Sequence, residues 1–171
     1  MPNHVINEVV LHGVSLDDCR KHILNADGKL DFGVLLPLPL HFWRGHVSTK
    51  HEKAFAGTQL DAARAIWGTK WGPYGGPTVE SVGDDVVIQF QSAWSHPRSW
   101  VCALFNTLDC GITASWLSEG GYAGHVETYK PARDDFTGPE WDDVELAESS
   151  TEHRRLHKLL WGVEEFEGDD A

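Results

Sequence analysis

Between Pro77 and Asp109 the chain reads "PTVESVGDDVVIQFQSAW" and then "SHPRSWVCALFNTLD". No other stretch restricts the fold as much. In the first half two β-rich runs flank Gly83-Asp84-Asp85, and Val86, Ile88 and Phe90 alternate with Val87 and Gln89. Alternation of this kind sends successive side chains to opposite faces of a sheet, so the segment predicts a hairpin with one buried face. In the second half Trp100, Val101, Leu104, Phe105 and Leu108 recur at helical spacing, with Pro97 in the first turn and Ser95 placed to cap it. A hairpin that runs straight into an amphipathic helix requires a sheet with a helix lying on it.

The remaining segments extend the same pattern. "HVINEVVLHG" is a strand that stops at Gly13. Ser15 caps a helix with Asp17 and Asp18 in its first turn and Leu16, Cys19, Ile23 and Leu24 on its apolar face. "FGVLLPLPL" is expected as a short apolar strand, barred by Pro37 and Pro39 from a central position. Residues 41–57, with His41, His46 and His51, form a surface excursion with a partly helical end. "TQLDAARAIWG" is a helix with Thr58 as cap and Gly68 past its end. "ITASWLSEGGYAGHVETYK" predicts a second hairpin around Glu119-Gly120-Gly121. A terminal helix over "TEHRRLHKLLWGVEEF" docks through Leu156, Leu159 and Leu160. The whole is α+β: an antiparallel sheet of four to five strands with two helices on one face, residues 1–131, followed by an acidic extension, 132–171.

Charge is distributed unevenly. The net charge is −12; residues 1–131 carry 13 acids and 10 bases, whereas residues 132–171 carry 13 acids and 4 bases. A chain of this sign repels phosphate backbones, so direct nucleic-acid binding is disfavoured and a partner protein with a basic surface is favoured. No apolar run of about 18 residues is present to span a membrane. The first residues have neither the basic region nor the apolar region of a secretory signal. Cys19, Cys102 and Cys110 lack metal-ligand spacing and suit buried thiols in a reducing cytoplasm.

"MPNHV" at the start, "LLPLP" at 35–39, "WGTKW" at 67–71, "FQSAWSHP" at 90–97 and "EGGYAG" at 119–124 occur in one order and spacing. Together they resemble the YubB ferredoxin-like domain family of bacteriophage and plasmid proteins, over about residues 1–130. The resemblance implies a ferredoxin-like α+β fold, a mobile-element origin and action in the host bacterial cytoplasm. It implies no cofactor and no set of catalytic residues. The term describes topology, since three scattered cysteines cannot hold an iron–sulfur cluster. Two positions depart from the family: His96 stands where a second proline is usual, and Gly72-Pro73 stands where a small polar residue is usual.

Three groups of residues are candidate sites. Trp67, Lys70, Trp71, Trp94, His96, Glu119 and Tyr122 cluster around the family segments. Trp67 closes a helix stripe and belongs in the core. Lys70 held between indole faces closes the lid of that core, or, if the group is open, cradles an aromatic or anionic ligand. The second group is acidic: Asp134, Asp135, Glu140, Asp142, Asp143, Glu145 and Glu148, punctuated by Phe136 and Trp141. With Trp141 docked, these carboxylates would form a face that imitates a nucleic-acid backbone toward a basic host protein. The third is His153 and His157, four apart on a helix; with Arg154, Arg155 and Lys158 around them they read as a solvated basic face rather than a metal pair. No nucleophile elbow, phosphate loop or paired-carboxylate pattern is present. These readings predict a non-enzymatic accessory protein that inhibits a host protein, as in counter-defence. The alternatives are a small-ligand binder built on the tryptophan group and a hydrolase using His96 or the histidine pair.

Overall fold

The computed structural model describes residues 3–40, 48–54, 57–128 and 144–162. Its elements are β1 (His4–His12), α1 (Leu16–Ile23), α2 (Phe32–Leu35), α3 (Thr49–Ala54), α4 (Gln59–Ile66), β2 (Tyr74–Val82), β3 (Asp85–Ala93), α5 (Arg98–Leu108), β4 (Gly111–Ser118), β5 (Ala123–Thr128), β6 (Val144–Glu145) and α6 (Thr151–Trp161). The strands form one antiparallel sheet in the order β2-β3-β1-β4-β5-β6. β1 is central, with Val9 opposite Ile88 of β3 on one side and Ala114 of β4 on the other. Six strands replace the four to five expected, because the acidic extension contributes one: Glu145 of β6 pairs with Gly124 of β5.

Alternation along the central strands divides the protein into two layers. Val9, Leu11, Ile88, Phe90 and Ile112 point to one face and pack with α1, α2, α4 and α5, around Phe32, Trp100 and Leu104. Ile6, Leu117 and Ala123 point to the other face, where α6 seats Leu156 with no exposure. Helices therefore lie on both faces rather than on one. A guanidinium fixes the sixth: Arg155 makes a two-pronged contact with Glu8, at 2.5 and 2.7 Å, and a second with Glu152.

Several local expectations change. Residues 32–35 form a helical turn and not a strand, since the Asp31 carboxylate accepts from the Gly33 N–H at 2.7 Å and nucleates it. Ser95 does not cap α5. Its hydroxyl donates to the Gly68 carbonyl at 2.6 Å, and Pro97 occupies the cap position without a side-chain bond. On α6, Leu159 is exposed, while His153 and His157 are buried together with Leu156. The spacing 153, 156, 157, 160 is the helix's inward stripe, so the histidine pair is part of the docked face and not a solvated basic one. The caps at Ser15 and Thr58 form as expected, Thr58 as a reciprocal capping box with Asp61. Cys19 and Cys110 are buried; burial, with the Cys110 thiol beside it, pushes the Cys19 thiol up to about 12. No helix among the described residues is long and apolar enough to cross a membrane.

Candidate functional site

Segments far apart in sequence meet at one end of the sheet. The Trp94 N–H donates to the Asn3 carbonyl at 2.8 Å, and the Lys70 N–H to the Ala93 carbonyl at 3.2 Å. Tyr74 donates its hydroxyl to the Ser92 carbonyl at 2.9 Å, and the same oxygen lies 2.8 Å from Nδ1 of His4. Burial, reinforced by the Glu119 carboxylate, pushes the Tyr74 phenol up to about 12. Glu119 and His4 are joined reciprocally: each backbone N–H donates at 2.9 Å, one to a carboxylate oxygen and the other to a carbonyl. The entry to β1, the exit of β3, the α4–β2 connection and the β4–β5 turn are thereby locked together.

Lys70 lies between two indoles, with Nζ 4.1 Å from the ring centre of Trp94 and 4.7 Å from that of Trp71. A second cation, Arg64 of α4, sits 5.1 Å from the Trp94 centre. Each such contact contributes roughly 0.5–2 kcal/mol, more as water is excluded. The cluster is not packed solid: Trp94 is 45% exposed, and Lys70 and Trp71 are half-buried. Trp94 also has φ +77°, a left-handed backbone that a bulky residue adopts only where its surroundings enforce it. Trp67 belongs to the core and donates Nε1 to the Leu36 carbonyl at 2.7 Å.

Behind this rim lies a buried polar chain. Asn7 faces the core from the centre of the sheet, and its Nδ2 donates to the Val5 carbonyl and to Ser92 Oγ, both at 2.9 Å. Only the amide nitrogen can face a carbonyl, so Oδ1 is the atom that meets Nδ1 of His96, at 2.9 Å. Nδ1 of His96 must then carry the proton, which leaves Nε2 with a bare lone pair. That atom is buried and has no hydrogen-bond partner among the described residues. Burial, helped by the Arg98 charge, pulls the imidazole down to about 3, so it remains neutral at ordinary pH and is a weak base. Its ring stacks on Trp116, centres 4.3 Å apart and planes inclined by 17°.

Two clefts flank the β4–β5 turn. One, of about 490 Å³, lies on the α5 side and is lined by Trp94, His96, Arg98, Trp116 and Tyr122, with Asn3, Val5, Ser95, Ser118 and Gly120. Tyr122 is 71% exposed. The other, of about 570 Å³, lies on the α6 side and includes Glu119, Glu148, His153, Arg154, His157 and Trp161. Of the residues singled out by sequence, Trp94, His96 and Tyr122 share the first cleft, Lys70 sits over the Trp94 and Trp71 rings, and Glu119 belongs to the second. In the acidic group, Glu145 and Glu148 are exposed, whereas Asp134, Asp135, Glu140, Asp142 and Asp143, together with Phe136 and Trp141, lie outside the described residues. His41 and His46 do so too, and His51 sits on α3. Among the described residues no group of three or more His, Cys, Asp or Glu could hold a metal ion.

Asn7, Trp116, Arg98 and Arg64 were not singled out by sequence. A signal existed for one of them: Asn7 is the polar member of the inward series Val5, Asn7, Val9, Leu11. By fold and site the molecule is an α+β protein with an aromatic, polar-floored cleft at one end of its sheet. No family model, curated protein or solved structure matches the chain.

Proposed function

We propose that this is a small-ligand-binding protein whose site is the cleft between the β4–β5 turn and the start of α5. The observation that carries the reading is the cleft itself: about 490 Å³ beside an aromatic cluster that leaves Trp94 and Tyr122 open to solvent. Binding sites of this size are concave and mostly apolar, with a few convergent polar groups, and Trp116, His96 and Arg98 supply those features. Binding rather than turnover fits His96, whose lone pair is too weakly basic for proton transfer at neutral pH. The order of the first four strands, β2-β3-β1-β4, with α1 and α5 as the connecting helices, supports a ferredoxin-like reading of the topology. We read the protein, on its resemblance to the YubB family over about residues 1–130, as one of a bacteriophage or plasmid that sequesters or senses a small molecule in the host cytoplasm.

The test is a nuclear magnetic resonance screen of neutral and charged aromatic fragments against the labelled protein. Fragments should shift the indole N–H signals of Trp94 and Trp116 and the Tyr122 amide. If no fragment perturbs these signals, the cleft is not a ligand site.

A second reading has its own observation. Part of the acidic extension is docked through α6 and presents Glu145 and Glu148 as exposed carboxylates. An ordered acidic surface suits a basic host protein, with binding weakened by salt. Reversal of charge in Glu145→Lys with Glu148→Lys should reduce capture of a host protein from lysate. Undiminished capture would remove these two carboxylates from the contact surface.

A further inference from the structure

The end of β1 far from the cleft carries a polar group of a different kind. β1 is central in the sheet, so its last residue, His12, touches both neighbouring strands. Nδ1 of the imidazole lies 3.1 Å from a carboxylate oxygen of Asp85, at the start of β3, and Nε2 lies 2.8 Å from the hydroxyl of Thr113 on β4. A carboxylate only accepts, so in the neutral ring Nδ1 carries the proton and Nε2 accepts from the Thr113 O–H. Asp85 is itself oriented: its other oxygen accepts from the Gly13 N–H at 3.2 Å, where a φ of +67° turns the chain as β1 ends. Hydroxyl, imidazole and carboxylate thus stand in the order that activates a nucleophile, with a base on the O–H and a third group holding the base. The His12 and Asp85 side chains are 40% and 36% exposed and Thr113 is half-buried, so the group is not sealed from solvent.

Ser115, His125 and Glu127 repeat this chemistry on the same face and show what it requires. Nδ1 of His125 is 2.8 Å from Ser115 Oγ, and Nε2 is 3.2 Å from Glu127. Ser115, however, is 3% exposed, and its hydrogen bond helps to hold the Glu152 carboxyl below its usual value. Its one proton is drawn to Glu152 and its oxygen is shut from solvent. Ser115 is therefore a structural hydroxyl and Thr113 the reactive one.

We propose that Thr113 is an acyl-accepting nucleophile, with His12 as its general base and Asp85 as the positioning residue. The activity is separate from the cleft and does not depend on ligand binding there. Strand pairing on both sides of Thr113, with Val10 and with Glu127, occupies the backbone amides beside it and leaves a developing oxyanion to solvent. The substrate class is therefore a carboxylic ester with a good leaving group. First, a lone pair of Thr113 Oγ bonds to the ester carbonyl carbon while His12 Nε2 takes the hydroxyl proton. The bond to the leaving oxygen breaks, its electron pair departs with that oxygen, and Nε2 delivers the proton to it. Water then attacks the acyl group on Thr113 and gives a proton to Nε2. The bond to Oγ breaks, Oγ regains the proton, and a carboxylic acid is released. Throughout, the Nδ1–H stays on the ring, and Asp85 stabilises the charge that the imidazole gains.

The full chain is incubated with p-nitrophenyl acetate, and p-nitrophenol release is followed together with the masses of the protein and its peptides. An acetyl group is expected on Thr113, with release at least about tenfold faster than from His12→Ala. Thr113→Val, nearly isosteric, should remove that acetyl and the excess release, and Thr113→Ser should keep both. Asp85→Asn should slow release by a similar factor. Its imidazole nitrogen resonances should show that Nδ1 is no longer the fixed site of the proton, which loosening of a turn alone would not produce. Mapping of the acetyl uses the unmodified protein, so it decides even where a variant fails to fold. Acetyl groups on lysines or the amino terminus, with Thr113 unmodified and release unchanged in Thr113→Val, overturn the proposal and leave His12 a plain imidazole base. Release no faster than in buffer, with no acetyl on the protein, overturns it as well.

Discussion

Asn7 and His96 show how much a few buried polar atoms determine at the residue scale. The amide of Asn7 fixes its own orientation through the Val5 carbonyl, and so fixes the tautomer of His96. Because burial pulls the imidazole down to about 3, the unfolded chain takes up a proton that the native state refuses. Stability is therefore full above the unfolded value near 6.5 and falls as pH drops toward 3. In His96→Phe the dependence should be shallower than in the parent by about 1.4 kcal/mol per pH unit between these limits, measured by urea denaturation at several pH values. Parallel stability curves would show that His96 is protonated in the native state. Gly124 is a second point of control. A Cβ there would overlap Cζ2 of Trp116, directly across the β4–β5 pair. Gly124→Ala should cost about 2 kcal/mol or more, because the indole is the stacking partner of His96 and has nowhere to retreat without unstacking. Wild-type stability with an unshifted Trp116 indole signal would contradict this account.

At the scale of elements, α6 is held by both apolar and ionic contacts. Leu156 packs against Ile6, Leu117 and Ala123, and Arg155 spans Glu8 and Glu152. Hydrogen bonding to Arg155 holds the Glu152 carboxyl below its usual value, against the opposing effect of burial. A carboxyl depressed in the native state contributes above the unfolded pKa, and that contribution is lost as pH falls through the folded value. Hydrogen exchange of the α6 amides should therefore accelerate below about pH 4.5 ahead of β1 and β3, and Arg155→Met should remove the difference. Uniform exchange across α6 and the central strands would mean that the ion pairs do not govern docking. Much of this level was legible in the chain itself. Period-two alternation located β3, and the Ser15 and Thr58 caps located α1 and α4, because these are short-range signals. The inward face of α6 was misread because charged neighbours suggested solvent for His153 and His157, whereas helical geometry places them with Leu156. α2 was misread because an apolar run carries no period of its own, and the Asp31 cap decided it. The cleft was legible only in pieces. Trp94, His96 and Tyr122 stand in recognisable segments, but Trp116 joins them through strand pairing, which brings residues more than 100 positions apart into register.

On the scale of the whole molecule, the sheet has two edges and one late-arriving cover. At the β2 edge the register shifts between Tyr74 and Thr78, across Gly75, Gly76 and Pro77, a break that discourages pairing with another chain. The other edge and much of the second face depend on β6 and α6, the described parts of the acidic extension. The extension therefore acts both as a store of negative charge and as a structural cover, and the two roles can be separated. Deleting residues 132–171 uncovers Ile6, Leu117 and Ala123 and removes Leu156, whose burial alone is worth about 1.5–3 kcal/mol. The truncated chain should lose at least about 2 kcal/mol of stability and self-associate through the exposed face, as read by urea midpoint and light scattering. Neutralising only the charge, with Glu145→Gln and Glu148→Gln, touches exposed side chains and should leave stability within about 0.5 kcal/mol. Any loss of partner binding in the truncated chain is thus attributable to charge only if the neutralised variant shares it. A truncated chain that stays monomeric at full stability would show that the sheet needs no cover on its second face. The extension would then be free to serve as a contact surface alone.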